Sequence, residues 1–244
     1  MRNYKLTIAY DGMSYHGWQM QANARTIQGE ITRVLSLLDH RPITLHGAGR
    51  TDAGVHAEAQ VANVFLEREL APDLWREAIN GNLDRDLRVM RVELADESFE
   101  ARFSAKSKTY RYAICAAPVL SPFDLRYVYH YRGELDVDAM QRAAAALVGR
   151  HDFSAFTIAA LDTEDRVRHL TRLDVEARGE RICITASAAG FLRYMVRTIA
   201  GTLIDVGRGR RNVASVTEAL RSRDRHQASA TAPAHGLTLV RVDY

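Results

Sequence analysis

Cysteine is rare in this sequence, and no long apolar run occurs. Only Cys115 and Cys183 are present among 244 residues, which excludes a disulfide framework and a site of closely spaced thiols for zinc or redox chemistry. The stretches without a formal charge, such as 112–123 and 182–192, are all shorter than the roughly 20 apolar residues of a membrane-spanning helix. Residues 1–10 alternate polar and apolar side chains and do not resemble a secretion signal. These absences favour a cytoplasmic protein.

Lysine is nearly missing as well, although the chain is slightly basic. Lys5, Lys106 and Lys108 are the only lysines, so almost all of the 33 basic side chains are arginine, and the formal net charge is +3. Guanidinium groups suit the phosphates and base edges of RNA. A genomic codon preference would give the same bias. The charge therefore permits RNA as a partner without indicating it.

Hydrophobic periodicity predicts strands that mostly follow one another directly, with helices at irregular intervals. Helices are predicted from Thr26, from Pro72, from Asp136, over 192–206 and over 213–221; the clearest strands are predicted at 3–10, 59–66, 108–115, 168–177, 181–188 and 237–243. Met90, Val92 and Leu94 alternate with Arg91 and Glu93, which predicts a half-exposed strand. The pattern indicates an α+β fold with a mostly antiparallel central sheet and flanking helices.

The segment 47–57 (GAGRTDAGVHA) has three glycines within eight positions, which allows a tight turn or a close approach to another group. A dinucleotide fingerprint would require glycine in place of Asp52, and a phosphate-binding P-loop would require Gly-Lys-Ser/Thr. A loop that presents one carboxylate remains, with Arg50 two residues before it. An ion pair that stabilises the loop would account for these two residues equally well.

Residues 49–57 (GRTDAGVHA) resemble, residue for residue, the catalytic motif of the TruA family of tRNA pseudouridine synthases. Four further segments are similar to family motifs and follow in the family's order, at 10–19 (YDGMSYHGWQ) with 26–28 (TIQ), 108–112 (KTYRY), 191–197 (FLRYMVR) and 232–239 (APAHGLTL). The resemblance implies an isomerase that converts uridine to pseudouridine at positions 38, 39 and 40 of the tRNA anticodon stem-loop. It also implies two related subdomains, 1–104 with the catalytic loop and 105–244 with the tyrosine strand and the arginine helix.

The same resemblance implies roles for five residues and names the partners. Asp52 would be the catalytic nucleophile, and Arg197 the cation that keeps it ionised. Tyr110 would stack on the flipped uracil, while Arg50 and Leu237 would contact the substrate. Without the family, Arg197 is equally well an exposed helix residue, and Tyr110 and Leu237 are ordinary core residues. The resemblance further implies a homodimer that grips one tRNA, with no cofactor, no metal and no membrane.

The chain departs from the family pattern at three positions. Glu100 stands where the family commonly has histidine, Asp84 stands in place of a usual proline, and Tyr194 occupies a position where a smaller polar side chain or histidine is expected. These departures concern substrate fit and local turn geometry.

Two other classes of protein remain open on the sequence alone. One is an RNA-binding protein without catalysis, although such a protein needs no carboxylate beside an anionic ligand. The other is a glycoside or nucleoside hydrolase with a carboxylate pair, for which Asp152 is the distant candidate partner of Asp52. His56 has no metal-ligand spacing and is predicted to be structural. The basic clusters at 208–211 and 221–225 are either solvated surface or contacts to RNA phosphates.

Overall fold

The computed structural model describes residues 1–158 and 165–244. Its α-helices are α1 (Ile27–Leu38), α2 (Pro72–Gly81), α3 (Val137–Ala145), α4 (Met195–Gly207) and α5 (Val213–Ser222). Its strands are β1 (Arg2–Tyr10), β2 (His46–Gly47), β3 (His56–Leu66), β4 (Leu87–Leu94), β5 (Ser107–Cys115), β6 (Tyr129–His130), β7 (Gly149–Asp152), β8 (Val167–Arg178), β9 (Arg181–Ala188) and β10 (Leu237–Asp243). Nearly all strand pairs are antiparallel, which confirms the α+β class.

The described residues divide into two compact units. The first comprises Met1–Lys106 and Leu239–Tyr244, and the second comprises Ser107–Thr238. The boundary therefore falls within β10. The subdomain division into 1–104 and 105–244 stays a prediction.

In the first unit β1 pairs antiparallel with both β3 and β4, and β2 pairs with β3. Helix α1 begins where the sequence predicts it, because the hydroxyl of Thr26 accepts a hydrogen bond from the N–H of Gly29 at 3.2 Å. Pro72 begins α2, a position where its missing N–H has no cost. Tyr4, Trp18 and Trp75 are the largest fully buried side chains of this unit.

In the second unit the strands are ordered β5, β9, β8, β7, all antiparallel, and the short β6 pairs parallel with β5. The predicted hairpin of β8 and β9 is confirmed, and Gly179 in its turn has a φ of +58°. The carboxylate of Asp136 accepts from the N–H of Ala139 at 2.8 Å and caps α3. Phe153 and Phe156 are fully buried in this unit.

One local prediction from periodicity is corrected, and a second is confirmed with an irregularity. Helix α4 begins at Met195 and not at residue 192, because Tyr194 has a left-handed backbone (φ +62°) that an α-helix cannot contain. The predicted half-exposed strand is present as β4, but a register shift at Met90, between the partners of Thr7 and Ile8, breaks its alternation, so Met90 is exposed while Val92 is buried. Hydrophobic periodicity predicts neither irregularity. A single left-handed residue and a bulge of one residue both change the path of the backbone without changing the composition of the segment.

Candidate active site

Asp52 lies on a tight turn between β2 and β3 of the first unit. The N–H of Val55 donates to the carbonyl oxygen of Asp52 at 3.1 Å, and Gly54 within the turn has a φ of +78°. Asp52 is partly exposed, and Arg50 is exposed. The turn thus presents a carboxylate and, two residues earlier, a guanidinium within one short loop.

The segment after β1 fixes the backbone of this loop at Thr51. The N–H of Trp18 donates to the carbonyl oxygen of Thr51 at 3.0 Å, and the hydroxyl groups of Tyr10 and Thr51 share a buried hydrogen bond of 2.8 Å. Burial raises the pKa of Tyr10 to about 12, so its phenol stays protonated at any working pH. The residue that precedes Asp52 is therefore held by both its main chain and its side chain.

His56 fixes the other end of the loop. Its ring is buried, and its Nδ1 accepts the N–H of Gly12 at 3.1 Å and lies 3.3 Å from a carboxylate oxygen of Asp11. A Cβ atom at Gly12 would lie 2.0 Å from the carbonyl oxygen of Val55, so only glycine allows this approach. The motif at 10–12 thus has a physical function, which is to support the loop that carries Asp52.

Gln60 is a supporting residue that the sequence did not single out. Its side chain is fully buried in β3, and its amide donates to the carbonyl oxygen of Gly49 at 3.0 Å. A buried amide among the apolar residues of a strand needs such a partner. The available signal was a polar residue at an inward position of β3, but the pattern does not reveal which backbone group it meets.

Asp84, one of the departures from the family pattern, belongs to a cluster of charged and polar side chains. Its carboxylate lies 2.6 Å from the guanidinium of Arg25, which also contacts Asp86 at 3.4 Å and donates to the hydroxyl of Tyr15 at 3.0 Å. Burial and the neighbouring Asp86 raise the pKa of Tyr15, whose hydroxyl donates to that carboxylate at 2.6 Å. This cluster ties the segment around Tyr15 to the start of β4.

Tyr110 lies in β5 of the second unit and is buried. Its ring meets that of Phe191 edge-on, with 5.2 Å between the centroids, and its backbone pairs with Ala186 of β9. Tyr112, on the same face of β5, donates its hydroxyl hydrogen to the carbonyl oxygen of Pro233 at 3.0 Å. Leu237 begins β10 and is buried.

Arg197 lies in the first turn of α4 and is partly buried. Its Nε donates to the carbonyl oxygen of Ala232 at 2.9 Å, and the N–H of Ala232 donates back to the carbonyl oxygen of Arg197 at 3.1 Å. Burial lowers the pKa of His235, and the charge of Arg197 lowers it further. Arg197 is therefore held in place jointly by helix α4 and the segment before β10.

The candidate residues divide between the two units. Arg50 and Asp52 belong to the first unit, whereas Tyr110, Arg197 and Leu237 belong to the second. Within its unit, each lies on a segment with defined hydrogen bonds or ring contacts. The joint action of all five on one substrate stays a prediction.

Asp152, the second carboxylate considered for a hydrolase, has local partners. It accepts hydrogen bonds from the N–H and the hydroxyl of Ser154, at 2.9 and 2.6 Å, and lies 3.2 Å from Arg223. Partial burial alone would raise the pKa of Asp152, but the hydrogen bonds from Ser154 and the charge of Arg223 outweigh burial and lower it. A carboxylate that stays ionised is a poor general acid.

Several arginines of the two basic clusters also have partners in the chain. Arg208 forms an ion pair with Asp205, and Arg211 donates to the carbonyl oxygen of Gln227 at 2.8 Å. Burial lowers the pKa of Arg225, which is partly buried. These residues contribute to the packing around α5, so the clusters are not simply solvated charge.

Residues 1–158 and 165–244 contain neither a cluster of metal ligands nor a helix that could span a membrane. No group of three or more histidine, cysteine, aspartate or glutamate side chains there could hold a metal ion. No helix in those ranges has both the length and the apolar character needed to cross a membrane.

Antiparallel α+β architecture together with the 49–57 motif is that of a pseudouridine synthase. A family model described as tRNA pseudouridine synthase matches residues 6–104 and 143–244. A protein of Brevibacillus brevis named tRNA pseudouridine synthase A is 44% identical over 244 residues, covering 100% of both chains. A protein of the same name from Methylobacterium nodulans is 43% identical over 245 residues, covering 100% of this chain and 96% of its own. The chain belongs to the tRNA pseudouridine synthase family, whose enzymes are isomerases.

Proposed function

We propose that this chain converts uridine to pseudouridine at positions 38, 39 and 40 of the tRNA anticodon stem-loop, with Asp52 as the catalytic nucleophile. The observation that carries the proposal is the turn at Asp52. Asp52 is partly exposed, while Thr51 before it is held by Trp18 and Tyr10, and the ring of His56 after it is bonded to Gly12. A reactive group on a loop with fixed ends can meet its substrate in one geometry, which reduces the entropic part of the barrier.

The proposed reaction balances without an oxidant or a cofactor. The C1′–N1 bond of uridine breaks, the uracil turns, and a C1′–C5 bond forms, while C5 loses a proton and N1 gains one. Cleavage of a glycosidic bond develops positive charge on the sugar, which an anionic carboxylate can stabilise or trap. Asp52 serves this step whether it attacks the sugar or adds to the base.

The other candidate residues fit roles in substrate binding and charge balance. Arg197 is the proposed cation that keeps the carboxylate of Asp52 ionised, and Tyr110 is the proposed stacking surface for the flipped uracil. Arg50, which is exposed beside the turn, suits contact with the RNA, and Leu237 would form an apolar wall. The partner is tRNA in the cytoplasm. Two copies of the chain are proposed to grip one tRNA, as the resemblance to the family implies.

The hydrolase alternative is less well supported than isomerisation. Hydrolysis with a carboxylate pair requires an acid that is protonated at working pH. Asp152 has the opposite property, since Ser154 and Arg223 lower its pKa. A binding protein without catalysis would not need the partly exposed carboxylate of Asp52.

Nucleoside analysis of tRNA treated with the purified protein tests the proposal. The protein is dialysed against EDTA and incubated with unmodified transcripts that carry uridine at only one of the positions 38, 39 and 40. We expect pseudouridine at each of them, no free uracil, and no product with Asp52→Asn, which should bind tRNA as well as the wild type does. Release of uracil would favour a hydrolase. Full activity of Asp52→Asn, or activity restored only by added zinc, would contradict the proposed mechanism.

A further inference from the structure

Tyr194 has an unfavourable backbone conformation immediately before α4. Its φ of +62° and ψ of 0° lie in the left-handed region, which glycine and asparagine adopt more readily than a residue with an aromatic side chain. Its side chain makes no capping hydrogen bond to the helix, so tyrosine gives no local advantage at this position. Strained residues of this kind persist where the surrounding structure requires them, and they cluster at functional sites.

The ring of Tyr194 contacts two guanidinium groups. The Cζ atom of Arg197 lies 5.2 Å from the ring centroid, and that of Arg193 lies 5.1 Å from it. A cation within about 6 Å of an aromatic face is attracted to it, more strongly when the pair is partly desolvated. Arg197 is partly buried and Arg193 is exposed, so the contact with Arg197 is the stronger of the two.

The guanidinium of Arg197 is thereby held by two different elements. Its Nε donates to the carbonyl oxygen of Ala232, and the ring of Tyr194 contacts its Cζ atom. Tyr112 of β5 and His235 before β10 are titratable groups that also feel its charge. The hydrogen bond at Nε and the ring contact at Cζ restrain the guanidinium from two sides.

We propose that Tyr194 is a positioning residue for Arg197, and that the strained backbone brings its ring against the guanidinium. This inference rests on the proposed function, in which Arg197 balances the catalytic carboxylate. A displacement of about 1 Å in a catalytic group can lower the rate by about 100-fold. The departure from the family pattern at Tyr194 then has a reason in this chain, because its aromatic ring contacts the guanidinium of Arg197.

The test compares Tyr194→Phe with Tyr194→Asn. Phenylalanine keeps the ring, whereas asparagine removes it but suits the left-handed backbone and can cap a helix. We expect Tyr194→Phe to keep the wild-type kcat for pseudouridine formation. We expect Tyr194→Asn to melt at or above the wild-type temperature and to lose about 10- to 100-fold in kcat with little change in the KM for tRNA. A residue that merely supports folding would lose stability and activity together.

The double variant Tyr194→Asn with Arg197→Met shows whether Tyr194 acts on kcat through Arg197. If Tyr194 acts through Arg197, Tyr194→Asn causes no further loss in the Arg197→Met background. A wild-type kcat for Tyr194→Asn beside an inactive Arg197→Met would overturn the positioning role and leave the proposed function intact. Normal activity of Arg197→Met would instead remove both the role of Arg197 and the one inferred for Tyr194.

Discussion

Gly17 lies directly against the backbone of Thr51, the residue that precedes Asp52. A Cβ atom at Gly17 would be 2.6 Å from the carbonyl oxygen of Thr51, closer than such atoms approach in proteins, and the φ of Gly17 is +87°. The absence of a side chain at residue 17 is therefore a condition for the position of the proposed catalytic loop. The two residues are distant in sequence, and no local pattern links them.

Gly17→Ala should displace the loop that carries Asp52. We expect it to lower the free energy of unfolding by about 1–3 kcal/mol through overpacking. We also expect kcat to fall under conditions in which the variant is still folded, which a loss of stability alone would not cause. Urea unfolding and single-turnover formation of pseudouridine measure the two effects. Gly81→Ala in α2 is the matched control, since a Cβ there meets nothing within 4 Å and should be neutral or stabilising. Equal activity of the two variants would show that the contact with Thr51 does not position the loop.

Local chemistry explains the parts of the fold that the sequence predicted correctly. Thr26 and Asp136 cap their helices through their own side chains, and Gly179 allows the turn of the hairpin, so each signal lies within a few residues of its effect. The left-handed Tyr194 before α4 and the bulge near Met90 are irregularities of the backbone. Hydrophobic periodicity indicates which faces are apolar and contains no information about such irregularities.

The candidate site shows the same limit. The motif at 49–57 identifies Asp52 through the family, but most of the groups that hold the loop come from residues 10–18. His56 was predicted to be structural, and its ring does anchor Gly12. Gln60, which supports Gly49, was missed because one buried amide in a strand does not specify its partner.

Asp39 should make the stability of the protein depend on pH. Its buried carboxylate accepts the N–H groups of Glu67 and Arg68 at 3.1 and 2.8 Å, and Nε of Arg41 at 2.7 Å. Burial alone would raise the pKa of Asp39, but these donors outweigh it and lower it. A lowered pKa in the folded state stabilises the protein above the unfolded value of about 3.9, and this contribution is lost as the pH falls through the folded pKa.

Asp39→Asn should therefore lower the free energy of unfolding at pH 7 by about 1.5–3 kcal/mol, the usual range for hydrogen bonds to a charged group. The difference from wild type should shrink below about pH 4, where the wild-type carboxyl also becomes protonated. Urea unfolding across this pH range measures both values. Asp73→Asn is the control, because the side chain of Asp73 is 80% exposed and its ion pair should contribute less than about 1 kcal/mol. A pH-independent difference at Asp39 would contradict the assignment.

Tyr110 should act through its ring. Tyr110→Phe keeps the edge contact with Phe191 and the surface for stacking, so we expect tRNA binding close to wild type. Tyr110→Ala should weaken binding of the flipped base by about 1–3 kcal/mol. Any loss of kcat in Tyr110→Phe alone would assign the hydroxyl to proton transfer. Tyr127→Ala, at an exposed tyrosine of the same unit, is the control; equal behaviour of all four proteins would remove Tyr110 from the site.

Arg197→Met should inactivate the enzyme near neutral pH far more than the loss of an exposed arginine does. Asp52 and Arg197 are only partly buried, so the loss costs less than the about 3–5 kcal/mol of a fully buried pair. A carboxylate that is partly desolvated and has lost its cation still holds its proton to higher pH. Activity should therefore return in part as the pH rises. Arg197→Lys should be intermediate, because lysine keeps the charge but cannot reproduce the fork of donors that includes the bond to Ala232.

The exposed Arg221 supplies the control. Arg221→Gln should at most weaken tRNA binding in a salt-dependent way, with an unchanged pH profile. Initial rates between pH 6 and 9 compare the variants, and a near-normal rate with a normal profile for Arg197→Met would show that Arg197 does not serve the catalytic carboxylate.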